Sequence, residues 1–411
     1  MKHFTVFMAM VAMLFGSFSC EKSGYDDPKN NPYKKLELST KSAEFARMGN
    51  DFAFNFIDRV NDATSGDYII SPLSMQFLLG MILDGAQGHT ADEICSVLGY
   101  GAGEVEAVNE YCQSMLRQLP NLDKKTKLSI ANAIFLDQEY PFLDSYKETL
   151  GKYFDAEVAN MDFGDKDGTV YAINKWCSAH TNGMVTEVIK NVGLNLRAIL
   201  VNAMYFKSEW KHKFSKKKTV TEIFTAEDGT KTSVPMMKID EDFLYQENEV
   251  MRAVSLPYGN GVYSMTVILP ADGKTIVDVT SYLDGEEWDE FVSKMVSCDV
   301  DLWLPRFETK FHIGLNDILS AMGMPSAFNE MANFAAMSNR KDLQLSFVQQ
   351  DAVIKVDEEG SEAAVVSSAG LTDAIVGPGY HIVFHADNPF LYLITESSSG
   401  AILFAGKYSG Q

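Results

Sequence analysis

The sequence predicts one α+β domain in which helices come early in the chain and strands come late. Of the 411 residues, 46% are hydrophobic and 11% aromatic, which is enough to bury a large core. Apolar residues recur at helical spacing in the first half, whereas the second half is rich in β-branched and aromatic runs. No linker rich in proline, glycine and serine interrupts residues 41–411. We therefore expect one folded unit over that range.

The early helices are predicted from apolar spacing and capping patterns. The first carries an apolar face formed by Phe45, Met48, Phe52 and Phe56. Ser71-Pro72 predicts the start of a second, because serine can cap a helix and proline tolerates the first helical position. Thr90 and Glu93 have the spacing of a capping box, and Gly99 should end that helix. A later helix contains Ile173, Trp176 and Cys177 and should end near Gly183.

The strands are predicted from short runs of β-branched and aromatic residues. They lie at residues 199–206, 262–269, 299–304, 345–356, 380–385 and 390–395.

The N-terminus is typical of a targeting segment. Lys2 and His3 precede an uncharged, mostly apolar run that is too short to span a bilayer comfortably. Residues 1–19 are therefore predicted to be a signal peptide of the lipoprotein type, with Cys20 as the lipidated residue. Residues 20–40 would form a flexible tether. An ordinary cleaved signal peptide, with Cys20 incidental, is the alternative.

Composition and motifs argue against several function classes. The formal charge of −21 disfavours binding to nucleic acid. No Cys/His spacing typical of a metal site occurs, so we expect no metal and no cofactor. Cys177 and His180 could suggest a thiol–imidazole pair, but a buried helix face is the more ordinary interpretation. We find no catalytic motif and expect no enzymatic activity. A single bridge among the scattered cysteines stays open: Cys95, Cys112, Cys177 and Cys298.

Residues 360–379 form an unusual segment, with no Lys or Arg and mostly small side chains. A loop of this length inside a compact domain is uncommon and usually functional. From Ser361 to Thr372 it lacks proline and can lie in a pleated sheet. Small residues would then face the core at alternate positions: Ser361, Ala363, Val365, Ser367 and Ala369. The segment is competent to form a strand.

Six separated motifs, in family order, resemble those of the serpins, a family of metastable protease inhibitors. They are Ser71–Ser74 with Gly85–Thr90, Asn174–Trp176 with Thr181–Gly183, Asn202–Lys207 with Trp210, Val356–Ala364, Asp387–Phe390, and Leu403–Lys407. The resemblance covers residue 41 to the C-terminus. It implies several helices packed on three mainly antiparallel sheets, with an exposed reactive-centre loop at about residues 360–379.

The resemblance implies a suicide-substrate mechanism. A serine protease attacks the loop, and the cut loop inserts as a new strand in the large sheet. The hinge of the loop would comprise Glu358, Glu359, Gly360, Ser361, Glu362, Ala363, Ala364, Val365 and Val366. The two valines are bulkier than the small residues typical of the family, so impaired inhibition stays open.

Family spacing counted from Gly360 places the cut after Ala374, whereas counting back from Pro389-Phe390 allows Ile375 instead. We expect the reactive bond at Ala374–Ile375, with Leu371–Thr372 and Thr372–Asp373 also within reach. A small or aliphatic residue at the cut suits elastase-like proteases and is wrong for a trypsin-like pocket. Papain-like cysteine proteases are a secondary expectation. The alternative is a non-inhibitory surface binding protein whose loop is only a protease substrate.

The resemblance also assigns a cluster that controls opening of the sheet: Ser71, Ser74, Asn202, Trp210 and Gln350. Gln350 stands where the family usually has histidine, so this control would lack a titrating group. The basic run Lys211–Lys218 could bind a sulfated polyanion, although a solvated surface is the more ordinary interpretation. We expect a monomer, lipid-anchored in a bacterial cell envelope and facing the periplasm or the exterior.

Overall fold

The computed structural model describes residues 30–193, 196–340, 342–361 and 376–410, with residues 376–380 described through their backbone. Its helices are α1 Thr40–Ala63, α2 Pro72–Gly85, α3 His89–Leu98, α4 Val105–Gln118, α5 Asp144–Phe154, α6 Lys166–His180, α7 Ile276–Tyr282, α8 Gly285–Ser293 and α9 Asn316–Met322. Its strands are β1 Tyr68–Ile70, β2 Lys127–Asp137, β3 Glu157–Met161, β4 Ala198–Glu209, β5 Val220–Thr225, β6 Lys231–Glu247, β7 Met251–Pro257, β8 Tyr263–Pro270, β9 Val296–Pro305, β10 Phe307–Gly314, β11 Gln349–Asp357, β12 Gly360–Ser361, β13 Val376–His385, β14 Phe390–Glu396 and β15 Ile402–Tyr408.

The strands form two hydrogen-bonded sheets. A six-stranded sheet has the order β10-β11-β12-β4-β2-β3. A nine-stranded sheet has the order β1-β15-β14-β8-β7-β6-β9-β13, and β5 pairs with β6. The predicted α+β class is confirmed, but the sheet count differs from the expected three. The reason is β6, a strand of 17 residues that pairs with β5, β7 and β9 and so joins strands into one continuous sheet.

The helix signals were mostly accurate. Ser71 caps α2 by accepting a hydrogen bond from the Ser74 amide, and Pro72 is its first residue. Gly99 ends α3 in the left-handed conformation at φ 79°. The capping box predicted at Thr90 is wrong, because α3 begins at His89 and Thr90 lies inside it. The Thr90 hydroxyl instead accepts a hydrogen bond from the Asn333 amide in a distant loop.

Two apolar clusters cover the two faces of the six-stranded sheet. The main core lies between this sheet, the nine-stranded sheet and helices α1 to α5. A smaller cluster packs α6 onto the opposite face, through Ile173 and Cys177 against Phe135 and Ile199. Because β-strand side chains alternate, even-numbered residues of β4 face the main core and odd-numbered residues face α6.

Residues 30–39 lie against the folded body. Asn31 donates to Asp123 (2.6 Å), and the Glu37 amide donates to Gln118 (2.8 Å). These residues belong to the predicted tether at 20–40, whose first half lies outside the described residues, as do the signal peptide and Cys20. Within the described part of the chain, no helix has the length and apolar character needed to cross a membrane.

Candidate functional site

The six-stranded sheet has a gap between β4 and β11. These strands run parallel to each other, and β12 pairs antiparallel with both of them at one end. Among the described residues, no backbone pairing joins β4 to β11 beyond β12. Cavities of about 30, 70 and 380 Å³ follow the gap from β12 toward the start of β4. We call this space the slot.

Gly360 begins β12 in a backbone conformation that L side chains rarely adopt, with φ at 151°. A Cβ atom at this position would overlap the carbonyl oxygen of Ser208 in β4. Only glycine can therefore pass this point between β4 and β11 without displacing backbone.

Ser361 is buried at the top of the slot, with 3% of its surface exposed. Its hydroxyl lies 2.8 Å from the hydroxyl of Tyr258. The Tyr258 ring stacks on Trp210, with ring centroids 4.4 Å apart and planes within 10°. Trp210 in turn donates from Nε1 to the carbonyl oxygen of Asp357 (2.8 Å). The aromatic pair thus fixes both the end of β11 and the first residues of the loop.

Two glutamates hold the turn between β11 and β12. Glu358 is buried, accepts a hydrogen bond from Thr219 (2.7 Å) and lies 3.5 Å from Arg306. The Glu359 carboxylate lies 3.1 Å from the ammonium of Lys216 and 3.2 Å from that of Lys213. The hydrogen bond from Lys216, followed by that from Lys213, lowers the pKa of Glu359.

The backbone of the same turn is bound to the segment that follows β4. The Trp210 amide donates to the carbonyl oxygen of Glu359, and the Phe214 amide donates to that of Glu358, both at 3.0 Å. The basic run Lys211–Lys218 is therefore in part a clamp on the loop rather than only a solvated surface. Its binding to a polyanion stays a prediction.

Deeper in the slot, polar side chains face each other across the gap. Gln350 of β11 accepts from the Ser71 amide (2.8 Å) and donates to the Ser71 carbonyl oxygen (3.0 Å). Asn202 of β4 accepts from the Ser74 hydroxyl and donates to Asn132 (2.6 Å). The Ser71 hydroxyl also donates to the carbonyl oxygen of Leu403 in β15 (2.6 Å), so the start of α2 is bound to the nine-stranded sheet as well. The start of α2 therefore lies beneath both walls of the slot.

The structure divides the predicted sheet-opening cluster into two groups. Ser71, Ser74, Asn202 and Gln350 come together beneath the slot, whereas Trp210 lies at its top beside Ser361. The amide of Gln350 both donates and accepts, so a glutamine satisfies this site without a titrating group.

A family model described as serpin (serine protease inhibitor) matches residues 47–410 of the chain. The protein belongs to the serpin family. Mouse neuroserpin is 32% identical to it, over 82% of this chain and 85% of neuroserpin. Tengpin, a thermophilic serpin solved in its native state, superposes with a TM-score of 0.81 at 26% identity, covering 92% of this chain and 96% of tengpin. Human thyroxine-binding globulin, complexed with thyroxine, also gives 0.81 at 26% identity, covering 90% and 98%.

Serpins are typically inhibitors of serine proteases rather than catalysts. Cys177 is buried, and burial raises the pKa of its thiol to about 12. The His180 ring instead packs on Trp176, with centroids 4.2 Å apart. The thiol–imidazole pair considered from sequence is thus not formed. The four described cysteines are free, so no bridge joins them.

Several predicted residues lie outside the described part of this serpin. They are Cys20, the reactive bond Ala374–Ile375, and the hinge positions Glu362, Ala363, Ala364, Val365 and Val366. The described hinge residues are Glu358 to Ser361. The roles assigned to all of them stay predictions.

Sequence reasoning missed three features of the site. Tyr258 was not singled out, and the basic run that contains Lys213 and Lys216 was noted without its contact with the loop, because each of these side chains acts on a residue at least 100 positions away. The third is a group of ionisable side chains on adjacent strands, Asp240, Asp299 and His381, whose ligand atoms lie within 4.8 Å of one another. All three are exposed, and His381 pairs with Asp299 at 3.1 Å.

Proposed function

We propose that this serpin is a suicide-substrate inhibitor of serine endopeptidases, with residues 360–379 as bait and the slot as the acceptor of the cut loop. The protease serine would attack the carbonyl carbon of Ala374. The Ala374–Ile375 peptide bond then breaks, an ester to the serine oxygen forms, and the amine of Ile375 leaves with the proton. Insertion of the freed loop would follow before water hydrolyses the ester.

The register of β12 supports this proposal. Ser361 lies opposite Ser208 of β4 and Val356 of β11, so β12 already occupies the position of a central strand. Continuing the same antiparallel register would place Ser367 between Asn202 and Gln350. A small hydroxyl side chain would then meet the polar pairs beneath the slot, where it can find hydrogen-bond partners.

The same register suggests how the slot could accommodate the two valines. Val365 would face the main core between Met204 and Ala352, and Val366 would face α6 beside Ala203. Each valine would thus have a small alanine neighbour, and the cavity of about 30 Å³ is lined by Met204 and Ala352. A β-branched side chain beside a small one fills a sheet without overpacking it.

Glu362 would enter between Lys207 and Lys355 in this register. Both lysines belong to the strands that flank the gap. Opposite charges on adjacent strands favour pairing. An acidic side chain near the start of the loop would therefore assist insertion rather than stall it.

The absence of Lys and Arg from residues 360–379 supports an elastase-like target, because a small residue such as Ala374 suits a shallow apolar pocket. Papain-like cysteine proteases are secondary targets in this proposal. We also propose that Cys20 carries a lipid that anchors the inhibitor in a bacterial cell envelope. The apolar N-terminal run followed directly by cysteine supports the anchor.

Incubation of the mature protein with pancreatic or neutrophil elastase tests the proposal. We expect a covalent complex at the summed mass that survives heat and SDS, and a released peptide that begins at Ile375. Thermal unfolding of the cleaved protein should occur well above that of the intact protein, because a new central strand is added to the sheet. Cleavage with neither a complex nor a rise in melting temperature would contradict inhibition and would favour a non-inhibitory binding protein.

A further inference from the structure

Residues 30–37, which we call the strap, cross the surface next to the top of the slot. The side-chain amide of Asn260 donates to the Pro32 carbonyl oxygen (3.1 Å). Lys34 donates to the Asn121 carbonyl oxygen (2.9 Å), and Gln118 exchanges two hydrogen bonds with the Glu37 backbone (2.8 and 2.9 Å). The strap is thus bound along its length by the end of α4, by the loop that follows it and by the turn between β7 and β8.

Asp123 is the buried residue that receives the strap, with 3% of its surface exposed. Its Oδ1 accepts from the Asn31 side chain (2.6 Å) and from the Lys125 amide (3.0 Å). Its Oδ2 accepts from the Thr126 hydroxyl (2.7 Å) and from the Asn260 amide (3.4 Å). A buried carboxylate with this many donors is held in one orientation, and hydrogen bonds to a charged group are the stronger kind.

Asp123 also needs the glycine at position 259. Gly259 has a φ of 42°, and a Cβ atom there would overlap the Asp123 carboxylate. The Gly259 amide donates to the Glu209 carbonyl oxygen at the end of β4 (2.9 Å). The carboxylate therefore fixes the turn that carries Tyr258, which contacts Ser361 of the loop.

A second path leads from Asp123 to β4. The hydroxyl of Thr126 donates to Asp123, so it accepts from Ser208, whose hydroxyl lies 2.7 Å away and is buried. Ser208 is the register partner of Ser361. Residues 208–210 are thus held by the Asp123 network on one side, while the Trp210 amide binds the loop on the other.

We propose that Asp123 is a positioning residue for loop insertion, and that the strap, through Asn31, sets how firmly the first loop residues are docked at the top of the slot. Docking of the first loop residues would be the starting point for insertion, so any effect of the strap on inhibition rests on the proposed function. The strap would also connect the predicted membrane anchor to the slot.

Hydrogen–deuterium exchange of the mature chain tests this without a protease. The amides of Trp210 and Phe214 report docking directly, because they donate to Glu359 and Glu358. We expect Asn31→Ala to speed their exchange by about tenfold, the effect of losing one hydrogen bond to a charged group. Asn30→Ala is the matched control, since among the described residues the Asn30 side chain accepts a 3.3 Å hydrogen bond from the exposed Lys124 side chain and makes no contact with Asp123, and it should leave both rates unchanged.

Thr126→Val separates the connection from the strap itself. It should speed exchange at the Trp210 and Phe214 amides, yet leave the Glu37 amide as protected as before. Thr126→Ser keeps the hydroxyl and should exchange at the wild-type rates. Unchanged rates in both Asn31→Ala and Thr126→Val would overturn the proposal. A uniform increase at every amide would also overturn it, since that result means general destabilisation. A chain that shows these local effects but is cleaved with neither a covalent complex nor a rise in melting temperature would contradict the proposed function and leave intact the role of Asp123 in docking the first loop residues.

Discussion

If the proposed inhibitory mechanism operates, replacing Ser361 with arginine should convert this serpin from an inhibitor into a substrate. Ser361 is 3% exposed and its hydroxyl contacts that of Tyr258, so a guanidinium at this position would have to leave water or keep the loop out of the slot. Burying an ion without a partner costs several kcal/mol after the protein relaxes. Roughly 4 kcal/mol corresponds to about a thousandfold in rate if it is felt in the transition state for insertion.

Titration of elastase with the wild type and the variant measures this effect. Ser361→Arg should give cleaved protein with little covalent complex, because hydrolysis of the acyl-enzyme overtakes insertion. Ser361→Ala removes only the hydroxyl contact with Tyr258 and should retain most of the complex. If Ser361→Arg formed as much complex per cleavage as the wild type, then insertion would not begin at the position where β12 lies, and the assignment of the slot would be wrong.

Three further predictions concern groups around the slot and the core. Burial raises the pKa of Asp84 to about 7 against an ordinary value of 3.8, so the folded state holds a proton more tightly than the unfolded state. The free energy of unfolding should therefore fall as pH rises from about 4 to 7. Asp84→Asn should raise the melting temperature at pH 8 and have little effect at pH 4. Gln350→His should make the elastase trapping rate depend on pH near 6.5, whereas the wild-type rate should show no such dependence from this site. Glu359→Gln should speed exchange of the Trp210 amide at pH 7, because it weakens the clamp by Lys213 and Lys216, and the difference should vanish at a pH low enough to protonate the wild-type carboxylate.

Local signals predicted the elements of this fold because they depend on neighbours in sequence. Apolar spacing found α1, and the serine and proline at the start of α2 have the capping role expected of them. The capping box at Thr90 failed for a reason outside the helix, since that hydroxyl contacts residues more than 200 positions away. A capping pattern states what a side chain can do locally, but the packed structure decides which partner it takes.

From the sequence, residues of the site could be identified only where they belong to a family motif. The small residues of the loop and Gly360 indicated a segment that can form a strand, and the register of β12 is compatible with that interpretation. Asp123 and Tyr258 could not be found in this way. Their contacts span 92 to 137 positions in sequence, within a turn and a loop that show no repeating pattern.

The geometry also explains why cleavage and insertion would be coupled. Both ends of the undescribed stretch 362–375 are fixed: Ser361 is paired in the six-stranded sheet, and Val376 is paired with Ser297 in the nine-stranded sheet. Each residue that enters the slot shortens the chain left to reach Val376, so an intact loop can insert fully only if β13 separates from β9. The contact between His381 and Asp299 (3.1 Å) and the backbone pairing of β13 with β9 oppose that separation. A cut at the proposed Ala374–Ile375 bond would remove the constraint without disturbing β13, and the free energy of completing the six-stranded sheet would then become available while the proposed acyl-enzyme still exists.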